Sequence, residues 1–199
     1  MRYGPRVALL CLLLLAVVAP LGALGQPAAG ATVQEGNSLT AESTTLTVQL
    51  RADGDAEWTV STSFVLDDAN DTRAFDRLKA DFRAGNADVA YDVGAFEAAA
   101  AAASEKTGRE MRIESVRSRN ETVQQGEQRV GRLVLRFRWT NFVEESGDRI
   151  RVGDAFNTTS GTWLPGLTSR QTLVIEPPSG YAVFDSPPDV GAEQGRLTW

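Results

Sequence analysis

Leu133-Val134-Leu135-Arg136-Phe137-Arg138-Trp139 decides the fold of this chain. Leu133, Leu135, Phe137 and Trp139 recur at every second position, and Arg132, Val134, Arg136 and Arg138 fill the places between. Successive side chains of a strand point to opposite faces, so the pattern predicts a β-strand with one apolar face and one cationic face. No other apolar face in the chain is as strong. This places the strand at the centre of a sheet, facing helices or a second sheet.

The same period appears on both sides of this run. Upstream, Met111 and Ile113 alternate with Arg112 and Glu114, and Gly126 marks a turn between the two strands. Further back, Leu46, Val48 and Leu50 alternate with Thr47 and Gln49. A turn at Asp53-Gly54-Asp55 then leads into Trp58, Val60, Thr62, Phe64 and Leu66. These runs read as a β-hairpin with one buried face. Downstream, short strands fit Ile150–Val152, Gln171–Glu176 and Tyr181–Phe184, separated by turn residues at Leu164-Pro165-Gly166 and Pro177-Pro178-Ser179-Gly180.

Between the first hairpin and the later strands the period changes. Phe75, Leu78 and Phe82 fall at helical spacing in Asp71–Ala84, with Asn70 or Asp71 as cap and Gly85 as stop. A second helix is predicted over Val93–Lys106, capped by Asp92 and stopped by Gly108. Its Ala98–Ala103 run has high helix propensity and little apolar bulk, which suits close packing on a sheet and is too weakly apolar for a membrane helix. The expected class is α+β: a mainly antiparallel sheet or sandwich with a two-helix insertion after the first hairpin.

The N-terminus carries an address. Arg2 and Arg6 precede an uncharged apolar run from Val7 to Gly25, and Ala29-Gly30-Ala31 is a small-x-small site. Basic start, apolar middle and small-residue exit make a secretory signal peptide over residues 1–31. A retained N-terminal anchor is the rival reading; Pro20, Gly22 and Gly25 break the run near its exit and favour cleavage. Residues 32–43 read as a flexible polar linker and residues 44–199 as a single exported domain. The final Arg196-Leu197-Thr198-Trp199 reads as the start of a strand ending on a large apolar residue, from which more sequence is expected beyond residue 199.

Composition removes much chemistry. Histidine is absent and the single cysteine, Cys11, lies in the signal. That leaves no disulfide framework, no Ser-His-Asp triad, no Cys-His nucleophile and no usual zinc or copper site. An enzyme here would need carboxylates, Ser-Lys or an oxygen-ligated metal. No carboxylate pair stands out as a glycosidase dyad, no cofactor motif is present, and the domain is expected to be non-enzymatic. Removing Arg2 and Arg6 from the 20 basic residues leaves 18 against 26 acidic, a net charge of −8 after cleavage. Acidic, lysine-poor, arginine- and alanine-rich composition fits an exported protein of a salt-loving archaeon; a GC-rich genome is the plainer explanation, and neither names a function. Nucleic acid is not an expected partner for such a domain.

Four groups of residues are candidate sites. Arg109 to Arg138 holds eight arginines and four glutamates. Arg112, Arg132, Arg136 and Arg138 would share an outward strand face able to bind an acidic glycan, a phosphate or an acidic protein segment. The plainer reading pairs them with Glu110 and Glu114 across the hairpin. Asn70, Asn120 and Asn157 each begin an N-glycosylation triplet, all in expected turns. Asp67-Asp68-Ala69-Asn70-Asp71 is acidic enough to attract Ca²⁺ but lacks the spacing, glycine and distal glutamate of a calcium loop, so an acidic helix start explains it better. Trp58 and Trp139 lie on apolar strand faces and read as core; Trp163 is the strongest surface aromatic, though core packing suits it better.

Thr107-Gly108-Arg109-Glu110-Met111, Phe137-Arg138-Trp139-Thr140-Asn141-Phe142, Val152-Gly153-Asp154-Ala155-Phe156, Pro178-Ser179-Gly180-Tyr181 and Leu197-Thr198-Trp199 together resemble an uncharacterised family of haloarchaeal extracytoplasmic domains. In longer relatives such a domain precedes a membrane helix and often a cytoplasmic winged-helix DNA-binding domain. The resemblance implies an outer sensory or scaffolding domain of a membrane-anchored protein, part of a signalling regulator in some relatives, and carries over no catalytic residues. A surface module that binds a ligand or glycan through the arginine-rich strand face is the alternative.

Overall fold

The computed structural model describes residues 39–199 except 88, 160, 165, 186–190 and 194, and the side chains of 191–193 are also undescribed. The expected signal segment, the first part of the expected linker and Pro165 therefore lie outside the described residues. The elements run β1 (Ser43–Leu50), β2 (Ala56–Val65), α1 (Ala69–Ala84), α2 (Val93–Thr107), β3 (Ile113–Gln125), β4 (Gln128–Trp139), β5 (Glu144–Ser146), β6 (Arg149–Arg151), a 3-10 turn (Asp154–Phe156), β7 (Asn157–Thr158), β8 (Gly161–Thr162), β9 (Gln171–Glu176), β10 (Gly191–Glu193) and β11 (Arg196–Thr198).

One seven-stranded sheet dominates, in the order β10-β11-β9-β1-β2-β4-β3. Every pairing is antiparallel except β1 with β9, which run parallel with Leu46 opposite Leu173 and Val48 opposite Ile175. Two small hairpins, β5-β6 and β7-β8, stand apart from it. The fold is α+β, with the helical pair between the second and third strands.

The strand expected at the centre, β4, lies one place in from the edge, between β2 and β3, and β1 holds the middle. Its faces separate as the period requires: Leu133, Leu135, Phe137 and Trp139 are buried. No strand forms at Tyr181–Phe184, which is irregular and leaves Phe184 94% exposed. Instead the chain returns later as β11, which pairs with β9 through Leu197 opposite Ile175. The last residues of the expected linker belong to the domain: Leu39 and Ala41 pack against it, and the Glu42 amide donates to the Ser63 carbonyl at 2.8 Å.

Both helices cover the same face of the sheet. Asp68 caps α1, two places before the earlier of the expected caps, Asn70, its carboxylate accepting from the amides of Asn70 and Asp71. Gly85 and Gly108 end α1 and α2 in left-handed geometry, φ 74° and 73°. Phe75 of α1 sits against Phe64 and Leu133, its ring directly over Gly131, where an added Cβ would come within 2.6 Å of a ring carbon. Ala99, Ala100 and Ala103 of α2 are buried, and these small side chains let the helix lie close to the 3-10 turn and β7.

Phe96 of α2 enters an aromatic layer on the covered face. Its ring lies 4.6 Å from Phe137 and 5.5 Å from Trp58, and Trp139 lies 5.1 Å from Phe142. Trp163 belongs to this layer too: it packs 5.5 Å from Trp139, and its indole N–H donates to the Ala155 carbonyl at 2.8 Å. The indole N–H groups of Trp58 and Trp139 have no hydrogen-bond partner among the described residues. Both are enclosed by neighbouring rings, whose faces are weak acceptors for N–H groups.

Candidate functional site on the arginine-rich strand face

The opposite face of the sheet carries the predicted arginines. In register across the strands, Arg132 stands between Ser63 of β2 and Glu121 of β3, and Arg136 between Thr59 and Arg117. Arg138 stands between Glu57 of β2 and Glu114 of β3. Arg132, Arg136 and Arg138 therefore share one face, as the period requires. Arg112 precedes β3, and its backbone N–H donates to the Thr140 hydroxyl at 2.9 Å.

Three of the four are already paired, and mostly not by the expected glutamates. Arg132 meets Glu121 at 2.8 Å. Arg138 engages the buried carboxylate of Asp55 through both Nε and a terminal nitrogen, with Asp53 at 3.7 Å. The hydrogen bond and charge of Asp55 hold the Arg138 guanidinium above its ordinary pKa. Arg112 pairs with Glu110 two residues away, along the chain instead of across the hairpin.

Arg136 is exposed and meets no carboxylate within ion-pair distance among the described residues. Arg117 and Arg119 of β3 share this state and this face. The sequence reading missed both because period two fails upstream of them. Ser115 adopts φ 56°, and the register shifts between Glu114 and Arg117. Such a bulge moves the following side chains to the other face.

Beyond the arginines the open face is rich in hydroxyls: Thr45 and Thr47 of β1, Thr59, Ser61 and Ser63 of β2, and Thr172 of β9. A groove of about 720 Å³ runs along one end of it, lined by residues that include Ser43, Thr45, Ser61, Ser63 and Arg132.

A second charged cluster is built from the segments that carried the resemblance. Arg109 grips both oxygens of Asp154, at 2.5 and 2.9 Å, and donates to the carbonyls of Asn141 at 3.0 Å and Phe142 at 3.3 Å. Asn141, at φ 53°, donates its amide to Asp55 at 2.8 Å and its side chain to the Glu110 carbonyl at 2.7 Å. Residues 107–111, 137–142 and 152–156 thus meet at one clamp that ties the loops after α2 and β4 to the 3-10 turn. Bidentate arginine–carboxylate geometry gives this clamp a fixed orientation.

The remaining candidates take ordinary structural places. Asn70 lies in the first turn of α1 and accepts from Arg73 at 2.9 Å. Asn120 lies in the middle of β3 and accepts from Arg83 at 3.2 Å. Asn157 begins β7, its side chain donating to the Gly153 carbonyl at 3.0 Å. None of the three asparagines lies in a turn as expected. Asp68 and Asp71 spend their carboxylates on backbone amides at the start of α1. Among the described residues no group of three or more His, Cys, Asp or Glu is placed to hold a metal ion, and no helix is long and apolar enough to cross a membrane.

The architecture defines a class: an α+β domain with one sheet face sealed by two helices and an aromatic layer, and the other left open and partly cationic. A family model, domain of unknown function (DUF7345), matches residues 47–181, from β1 through the turn after β9. The chain belongs to this family. No curated protein and no solved structure matches it.

Proposed function

We propose that this chain is a non-enzymatic domain displayed outside the cytoplasmic membrane, the outer scaffolding or sensory part of a membrane-anchored surface protein. One observation carries the reading beyond the N-terminal signal pattern: the charged residues of the resemblance segments serve the fold. Arg109, Asp154 and Asn141 spend their side chains on each other's segments, and Arg138 is held by Asp55. A domain whose distinctive polar residues lock loops onto an aromatic core is built for persistence. The haloarchaeal setting, the membrane attachment and a regulatory role in signalling belong to this proposal through the resemblance.

Cell fractionation of the full gene product, with protease added to intact cells, tests the reading. The expected result is a membrane-associated protein whose domain is digested without lysis. A soluble protein that becomes protease-sensitive only after lysis overturns it.

A further inference from the structure

We propose that Arg117, Arg119 and Arg136 form a binding site for an acidic polysaccharide on the open face of the sheet. The proposal depends on the surface reading only for where such a polymer is met, and its test uses purified protein, so the two can fail separately.

The first argument is electrostatic. Arg117 and Arg136 are direct cross-strand partners, and Arg119 stands next along β3 on the same face, opposite Val134. Like charges placed directly opposite are destabilising. The chain has 26 acidic residues from which to draw a compensating partner, and it does so for Arg132 and Arg138 on the same strand. Of the carboxylates facing the trio, Glu121 is taken by Arg132, Glu57 lies 3.8 Å from Arg51, and Glu114 lies beyond the bulge opposite Arg138. Three guanidinium groups are left with no carboxylate partner among the described residues, and an anionic ligand would relieve their repulsion.

The surroundings select the kind of anion. Next to Arg136 in register stands Thr59, then Thr47 of β1; next to Val134 stand Ser61 and Thr45. Among the described residues this floor offers short hydroxyls beside Val134 and carries no aromatic side chain on these strand positions to seat a peptide. A charged sugar chain supplies what it can bind: carboxylate or sulfate groups for planar guanidinium donors, and ring hydroxyls for serine and threonine. Strand addition of an acidic peptide along β3 is the rival, because β3 is the sheet edge. The bulge at Ser115 breaks the edge ladder immediately beside Arg117, and bulged edges resist strand addition.

The test titrates purified wild type and the Arg117→Ser/Arg136→Ser variant with four polymers at matched low salt: dextran sulfate, polygalacturonate, neutral dextran and poly-glutamate. Circular dichroism and thermal melting confirm that the variant folds. The expected result is binding to dextran sulfate or polygalacturonate, weakened by added salt, negligible for dextran and poly-glutamate, and reduced about tenfold for each arginine removed. Preference for one of the two acidic glycans identifies sulfate or uronate as the recognised group. Three results overturn the proposal: no binding of either acidic glycan by wild type, equal binding by the variant, or poly-glutamate binding as tight as glycan binding, which would assign the face to an acidic polypeptide.

Discussion

Phe137 and Arg136 are neighbours on one strand that face opposite ways, and replacing each by alanine measures the two faces separately. Phe137 is 1% exposed, with ring centroids of Phe96 and Trp58 at 4.6 and 5.9 Å. Truncation there removes a ring from the middle of the aromatic layer and leaves a void that rigid neighbours cannot fill. Aromatic-to-alanine changes in such sites cost about 3–5 kcal/mol. At about 2–4 °C per kcal/mol for a domain of this size, Phe137→Ala should melt roughly 6–20 °C below wild type. Arg136 has no carboxylate to lose among the described residues and faces Arg117, so Arg136→Ala should change stability by no more than about 0.5 kcal/mol, toward stabilisation. Urea denaturation of both variants at one fixed salt concentration gives the comparison. Equal losses would mean that the arginine face is buried or covered, and the division of the sheet into a sealed and an open face would be wrong.

Gly131→Ala places a Cβ within 2.6 Å of the Phe75 ring, so it should destabilise by about 1–3 kcal/mol in the same assay, and a Phe75→Leu background should recover part of the loss. Acid should weaken the fold through Asp68 and Asp76. The amides of Asp71 and Asn70 lower the pKa of Asp68, and Lys79 lowers that of Asp76, both below the ordinary 3.8. A carboxylate with a depressed folded pKa contributes stability above its unfolded pKa and loses it as pH falls through the folded value, so urea midpoints should be unaffected by these two groups near neutrality and fall below about pH 4. The net charge of −8 after removal of residues 1–31 predicts a melting temperature that rises steadily from near-zero to molar KCl, and a flat profile would argue against adaptation to high salt.

Local pattern made the hairpin of β1 and β2, both helices and the apolar face of β4 legible, because each needs only a period and a cap. Long-range pairing was not legible. Nothing in Gln171–Glu176 says that it lies parallel to β1, since the pairing rests on Leu173 and Ile175 meeting a core built more than a hundred residues earlier. The length of β3 was hidden by the bulge at Ser115, which reverses the alternation just where a reader would extend the strand. Arg117 and Arg119 were lost with it. The arginine face itself was foreseen from β4. Which of its members are free was not, because the partner of Arg138 is Asp55, 83 positions away in the first hairpin turn.

Accessibility of an engineered cysteine on intact cells tests the central claim most directly, because the described residues contain no cysteine of their own. Arg136→Cys and Leu135→Cys, made separately in the full gene, are exposed to a membrane-impermeant maleimide beside wild type. The account predicts rapid labelling of Arg136→Cys on unbroken cells, and none of Leu135→Cys until the protein is unfolded, since Leu135 is 5% exposed. Labelling of Arg136→Cys only after lysis would contradict a domain that works outside the membrane.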